Sequence, residues 1–245
     1  KIKILAKILL GLLLFFLLLV MFFSIASVQT KTAQYLTDFL QEKYNAKIQV
    51  AKLRLSYDGR VVLKQVFIED HHQNTLVVAK ELSTSLLNIQ GLVSGNDLDF
   101  ENTHASQLKL YLKRYKNEEE DNFSVFIQKF DSGKKTSEDF SLTIDEINLT
   151  DSYFSYTDYN LQQEPVIALE KLNVQASNLL IDNSDVYVQI ASLRGTESNG
   201  IKVDFLQTDF AYTQQQMRLD NLVLNTDKTS IEAPRIYLNY EQVED

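Results

Sequence analysis

The sequence predicts a mainly β protein: an N-terminal transmembrane helix, then an elongated, curved antiparallel β-groove with short capping helices. Three observations carry this expectation. An uncharged apolar run opens the 245-residue chain. From Ile48 onward the hydrophobic period is two. One pattern, apolar-x-apolar-x-x-apolar-x-apolar, then returns along the rest of the chain. The expected divisions are an anchor at 1–27, an amphipathic capping helix at 28–46, and a β-groove domain at 47–245. The last carries a helical, charged insertion at about 113–139 and is expected to continue in a longer protein.

The apolar run extends from Ile8 to Phe23 and on through Ser24-Ile25-Ala26. At 1.5 Å per residue, about 19 residues span roughly 28 Å, one hydrocarbon core. Ile8, Leu12, Phe15, Phe16, Leu19, Phe22 and Phe23 are the expected membrane-facing residues. Lys1, Lys3 and Lys7 precede the run, and Lys31 is the next cation. The positive-inside rule therefore puts the N-terminus in the cytoplasm and the body across the membrane. Ser24-Ile25-Ala26 also fits a signal-peptide cleavage site, so a removed leader is the rival reading.

Leu36, Phe39 and Leu40 fall at helical spacing, with Thr32 as a candidate cap. This predicts a short helix at the membrane-proximal end of the β domain. The repeated pattern then runs Ile48-Val50-Leu53-Leu55, Val61-Leu63-Val66-Ile68 and Leu142-Ile144-Ile147-Leu149. It continues as Ile167-Leu169-Leu172-Val174, Met217-Leu219-Leu222-Leu224 and Ile231-Ala233-Ile236-Leu238. Val77-Ala79-Leu82-Thr84 is a weaker copy. Strict alternation keeps apolar groups on one face, and one inserted residue flips the faces. A β-bulge absorbs the extra residue, restores the phase and bends the strand. The residues at the phase break, such as Lys64-Gln65, Glu170-Lys171 and Asp220-Asn221, are not hairpin-turn dipeptides. The pattern therefore favours bulges inside continuing strands, and repeated bends of one hand would curve the sheet into a trough. No crossover-length helices alternate with the strands, which predicts an antiparallel meander of some 14 strands, roughly 65 Å long at about 4.8 Å per strand.

The insertion holds the acidic run Glu118 to Asp121, followed by Phe123, Phe126, Ile127 and Phe130 at i, i+3, i+4 and i+7. That spacing is one apolar face of a short helix. It either caps an open end of the sheet or acts as a movable lid.

Chemistry is not legible in the sequence. There are no cysteines, which removes disulfides, thiol catalysis and thiolate metal sites. The net charge of −9 offers no basic stripe for nucleic acid. No P-loop, nucleophile elbow, zincin or dinucleotide motif is present. His71 and His72 stand beside Glu69 and Asp70 just after a strand, where adjacent turn residues are expected to be solvated, and the only other histidine is His104. The expectation is no enzyme, no cofactor and no metal. Asn122-Phe123-Ser124 and Asn148-Leu149-Thr150 match the glycosylation pattern, a weak signal.

Several segments of the N-terminal half carry a resemblance. They are Val28-Gln29-Thr30 after the apolar run, Ile48 to Leu55, and Asp58-Gly59-Arg60-Val61-Val62-Leu63-Lys64-Gln65-Val66-Phe67-Ile68-Glu69-Asp70. Asn74-Thr75-Leu76 and Leu82-Ser83-Thr84-Ser85-Leu86 follow. Across residues 1 to about 112 this resembles the start of the translocation and assembly module inner-membrane proteins (the TamB-like family), of the Bacteroidota type. That family belongs with the AsmA-like and bridge-like lipid-transfer proteins. The resemblance implies a β-taco-like groove, anchored in the inner membrane and crossing the periplasm, whose interior conducts phospholipids. It implies a partner in the outer membrane of the TamA/BamA assembly-factor type. Exposing both chains of a phospholipid to water would cost on the order of 25 kcal/mol, at about 0.8 kcal/mol for each of roughly 30 carbons, and an apolar trough removes most of that barrier without catalysis.

The expected groove-lining residues are Val50, Leu53, Leu63, Val66, Leu110, Ile144, Ile147, Leu169, Leu172, Leu219, Leu222, Ile236 and Leu238. Three readings stay open from sequence. One is a lipid conduit, one a periplasmic scaffold or chaperone that binds client strands at exposed sheet edges for outer-membrane β-barrel assembly, and one a closed β-sandwich.

Overall fold

The computed structural model describes residues 25–56, 60–85, 97–129, 141–182, 185–213 and 215–239. The apolar run to Ser24 lies outside them, as does Phe130. Among the described residues no helix is long and apolar enough to cross a membrane.

Among the described residues there are two helices and eleven strands, in the order α1 (Ala26–Tyr44), β1 (Ile48–Leu55), β2 (Val61–Glu69), β3 (Thr75–Thr84), β4 (Asp97–Ser106), β5 (Lys109–Arg114) and α2 (Asn122–Gln128). The long strands β6 (Ser141–Asp158), β7 (Ile167–Asp182), β8 (Asp185–Glu197), β9 (Lys202–Tyr212), β10 (Gln216–Thr226) and β11 (Ser230–Asn239) follow. All the strands form a single sheet, ordered β1-β2-β3-β4-β6-β7-β8-β9-β10-β11, with β5 between β3 and β6. The protein is mainly β, as the two-residue period predicts. The sheet is mostly antiparallel, with one correction to the expected meander. β4 and β5 both run parallel to β6. They keep one common register, Asp97 opposite Ser141 and Lys109 opposite Tyr153, so together they behave as a single strand interrupted at Gln107-Leu108. A parallel neighbour needs a crossover, and the insertion after Arg114 is that crossover. The sequence concealed this because the crossover's helix is only seven residues long.

Helix α1 starts at Ala26 without a side-chain cap and ends at Asn45, whose φ of 48° gives a left-handed C-cap with its N–H on the Gln41 carbonyl. Thr32 does not cap the helix. It lies in the helix interior and its hydroxyl donates to the Val28 carbonyl at 2.9 Å. At the crossover helix the acidic run acts as expected. The Asp121 carboxylate accepts from the N–H groups of Phe123 and Ser124, which caps α2.

Every phase-break pair lies inside a continuous strand, so the expected bulges hold and the turns do not. The backbone device is a single residue in the left-handed region. Gln65, Lys171 and Asn221 have φ of 53°, 50° and 54°. In the pairs β1/β2, β6/β7 and β10/β11 one of two facing residues makes the turn. Gln65 faces Ala51, Asn178 (φ 53°) faces Asp145, and Asn221 faces Pro234. Pro234 can occupy this position because it lies at a bulge where the ladder is already interrupted, on a strand whose only neighbour among the described residues is β10.

The register aligns these breaks into two lines that cross the sheet. The first passes through Gln65, Gln107, Asp151 and Lys171, all with φ near +50°. The second passes through Asn178 and Asn221. Polar side chains bridge both lines on the outer face: Gln107 Nε2 to Asp151 Oδ2 at 3.0 Å, Asn178 Nδ2 to Gln189 Oε1 at 2.7 Å, and Asn221 Nδ2 to Asp209 Oδ2 at 2.9 Å. Inside, the Thr208 hydroxyl donates to the Asp220 carbonyl at the β9–β10 bulge, at 2.9 Å.

The bends are large. Leu142 and Tyr156 are 14 residues apart on β6, about 46 Å if the strand were straight. Yet Leu142, and Leu112 beside Tyr156, both pack against one cluster of Leu76, Phe126, Ile127, Ile181 and Ala46. The two ends of the long strands therefore converge on α2.

Candidate functional site

The bulges hold the apolar residues of each strand on one face, and the register carries that face from strand to strand. On β7 the row is Ile167, Leu169, Leu172, Val174, Ala176, Leu179 and Ile181. Opposite these on β6 stand Tyr156, Phe154, Ser152, Leu149, Ile147, Ile144 and Leu142. On β8 to β11 the same face continues. Val186 pairs with Tyr212, Tyr212 with Met217 and Met217 with Leu238, and Leu193 pairs with Leu206, Leu206 with Leu224 and Leu224 with Ile231. Both helices pack on this face, so it is the inner one.

Every residue expected to line a groove is on this face, but its cover changes along the sheet. Val50, Leu53, Leu63 and Val66 sit under α1, packed around Ala33, which is fully buried. That part of the face is filled by protein. Leu110 joins the cluster around Phe126 and Ile127. Ile147, Leu169 and Leu172 belong to a third cluster that contains no helix residue. Clusters with helix residues reach no further than Val186 of β8. Beyond it, Leu219 is half-buried and Leu222 is buried beside the bulge. On β11, Ile231, Ile236 and Leu238 are 38%, 43% and 55% exposed. Burial thus falls along the sheet from α1 toward β11, while the apolar character does not. No second sheet covers this face among the described residues.

Phe123, Phe126 and Ile127 lie on α2 and face the cluster that joins the two strand ends. Phe126 and Ile127 are buried, which is the capping arrangement. At this mouth two tyrosines from opposite strand ends come near each other. Burial, with the charges of Asp158 and Asp121 opposing ionisation, pushes the Tyr156 hydroxyl up to about 12. Tyr212 is also raised, by burial first and then by Asp121. Both hydroxyls stay neutral at any physiological pH.

A depression of about 210 Å³ on the outer face is lined by Ser83, His104, Ser106, Asn148 and Thr150 among others, and it is polar. Asn122, one of the glycosylation-pattern residues, is fully buried. Its amide donates to Asp70 and to the Tyr111 carbonyl, and its oxygen accepts from the Lys113 N–H, so no glycan fits there. His71 and His72 are not simply solvated. Both rings meet Glu118 of the crossover, through Nε2, at 2.9 and 2.6 Å. No local signal marks this contact, because 46 residues separate His72 from its partner.

Against known proteins, the chain matches no family model and no curated protein.

Proposed function

We propose that this chain is the membrane-proximal part of a lipid conduit. The apolar run at its N-terminus anchors it in the inner membrane, the body stands in the periplasm, and the inner face of the bent sheet is a groove along which phospholipid tails move toward the outer membrane. This is the role the TamB-like resemblance implies, with an outer-membrane assembly factor as the expected partner. The observation that carries the reading is the inner face of β8 to β11. It is apolar in every strand and aligned by register, and from β9 to β11 it is uncovered by helix or second sheet among the described residues. A solvated face of this kind is costly at roughly 25 cal/mol per Å² unless something covers it. Acyl chains provide that cover without a fixed pocket. Ten strand positions at about 4.8 Å give a path of about 43 Å, of which α1 and α2 fill the first part.

The test uses a photo-crosslinking side chain in the full chain, in its membrane. Probes at Ile236 and Leu238, on the inner face, are expected to label phospholipid. A probe at Tyr237, on the outer face of the same strand, is expected not to. Ile236→Asp is expected to fold and insert normally, because Ile236 is already exposed, and to lower lipid transport. Equal labelling from both faces, or normal transport by a folded Ile236→Asp chain, would overturn the reading.

The scaffold reading has one observation in its favour. β11 is exposed along almost its whole length and bonds only to β10 among the described residues, so its free edge offers a ladder to a client strand. Backbone pairing of that kind would tolerate Ile236→Asp, so client capture unchanged by this substitution, with no lipid labelling, would favour it.

A further inference from the structure

We propose that His71, His72 and Glu118 form a binding site for a zinc-type transition metal, which fastens the crossover segment to the β2–β3 turn. Among the described residues these three form a cluster of histidine and carboxylate groups whose ligand atoms lie within 4.8 Å of one another. Both imidazoles present Nε2, at 2.9 and 2.6 Å from the two oxygens of the same carboxylate. Zinc takes imidazole nitrogen at about 2.0–2.1 Å and carboxylate oxygen at about 2.0–2.2 Å, which places neighbouring ligand atoms about 3.3 Å apart in a tetrahedron. The two nitrogen–oxygen separations are shorter than this by about 0.4 and 0.7 Å, so each ring moves slightly away from its carboxylate oxygen when an ion enters. Two imidazoles and one carboxylate suit zinc, and they suit magnesium or calcium poorly.

The ligands are held before any ion arrives. Asp70 Oδ1 accepts from the N–H groups of His72 and Asn74, which fixes the turn that carries both histidines. Asp70 Oδ2 accepts from the Tyr115 hydroxyl at 2.6 Å and from Asn122 at 3.0 Å, which ties the same turn to the crossover on either side of Glu118. The Tyr115 ring packs 4.0 Å from the His72 ring, centroid to centroid. Glu118 is positioned from behind by Asn160, whose amide donates to its backbone carbonyl. The ligand side chains are 22–44% exposed, so an ion can enter and keep water in its remaining positions.

The proposal does not depend on what occupies the inner face. It is tested on the full chain purified without a polyhistidine tag, stripped with chelator and titrated with zinc chloride in a calorimeter. One zinc ion per chain is expected, with magnesium in excess failing to compete. Glu118→Gln keeps the shape of the side chain, and His72 is at the surface. Each of Glu118→Gln and His72→Ala is expected to weaken binding about tenfold or more. X-ray absorption at the zinc edge should report two imidazole nitrogens. If Glu118→Gln perturbs the fold, His72→Ala alone decides. No heat of zinc binding, or zinc bound equally well by both variants, would overturn the proposal.

Discussion

Lys171 is the residue where the bent-strand account is most exposed to refutation. It is solvent-exposed on β7 and its φ is +50°. Glu170 pairs with Thr196 and Asn173 with Arg194, so Lys171 and Leu172 together oppose Gly195 alone. In a regular strand, replacing an exposed lysine by valine raises β-propensity and stabilises by up to about 1 kcal/mol, and replacing it by glycine destabilises by about as much. At a left-handed position both signs reverse. A β-branched side chain is a steric outlier there, and an L-residue already gives up about 1–2 kcal/mol. Lys171→Val should therefore cost at least about 1 kcal/mol. Lys171→Gly relieves that strain, loses about 0.5–1 kcal/mol to chain entropy, and should be net stabilising by roughly 0.5–1 kcal/mol. The chain has twelve tyrosines and no tryptophan, so tyrosine fluorescence in a urea titration of the detergent-solubilised protein is the natural probe. With a slope of about 2 kcal/mol per M, the valine midpoint should fall by about 0.5 M or more and the glycine midpoint rise by about 0.3 M. A stabilising valine with a destabilising glycine would mean that β7 runs straight through Lys171, and the bending device would be wrong.

Three further outcomes follow from neighbouring features. A Cβ on Gly195 would come 3.1 Å from the Glu170 carbonyl and 3.4 Å from Leu172, so Gly195→Val should destabilise by roughly 1–3 kcal/mol in the same titration. Asn122→Ala leaves the Asp70 carboxylate and the Lys113 N–H short of a partner, and a loss of about 1–3 kcal/mol is expected by thermal unfolding. Expressed in a glycosylating host, the protein should carry no glycan at Asn122 by mass spectrometry. Phe126→Ala should cost about 3–5 kcal/mol, and hydrogen exchange should show the loss concentrated where the two strand ends meet α2; protection lost evenly across the sheet would argue against α2 as the element that joins them.

The sheet was legible because burial and period reinforce each other. A face that must stay apolar permits only one phase, so the double-x in Leu169-Glu170-Lys171-Leu172 had to be a bulge. The same logic missed Asp151 and Gln107. Both lie beside small inner residues, Ser152 and Ala105, which make a weak apolar clock to read. Asn178 was missed for the opposite reason: Leu179 and Leu180 are both apolar, so either phase satisfied the pattern. The parallel pairing of β4 and β5 with β6 was invisible because no local residue encodes a partner's direction. That the expected lining residues share one face was legible, since face follows from alternation. Their cover was not, because it depends on where α1 and α2 come to rest, and that is fixed by contacts such as Ala33 against Val50 and Ala79, far apart in sequence.

The two bend lines also explain why an apolar face can persist without collapsing into a sandwich. A flat sheet with one greasy face would bury it by pairing with another sheet. Here β7 turns twice, at Lys171 and Asn178, and β6 and β10 turn once each, at Asp151 and Asn221; the side chains of Asp151, Asn178 and Asn221 are hydrogen-bonded across the outer surface, and the sheet's own two ends approach each other. Near α2 the gap between those ends is closed by Phe126 and Ile127. From β9 to β11 no helix residue enters the clusters, and the same bends leave the face half-covered and continuous. Curvature is therefore set by backbone and polar contacts outside, independently of what lies inside. That separation is what a surface must have if its apolar contents are to change from moment to moment while its shape does not. It predicts that substitutions of inner-face residues on β10 and β11 by other apolar side chains, Leu219→Met or Ile236→Leu, leave both stability and labelling by acyl-chain probes nearly unchanged, whereas Asn221→Val, outside the face, disturbs both. If instead the conservative inner changes were the damaging ones, the face would be a packed core, and no room for moving chains would remain.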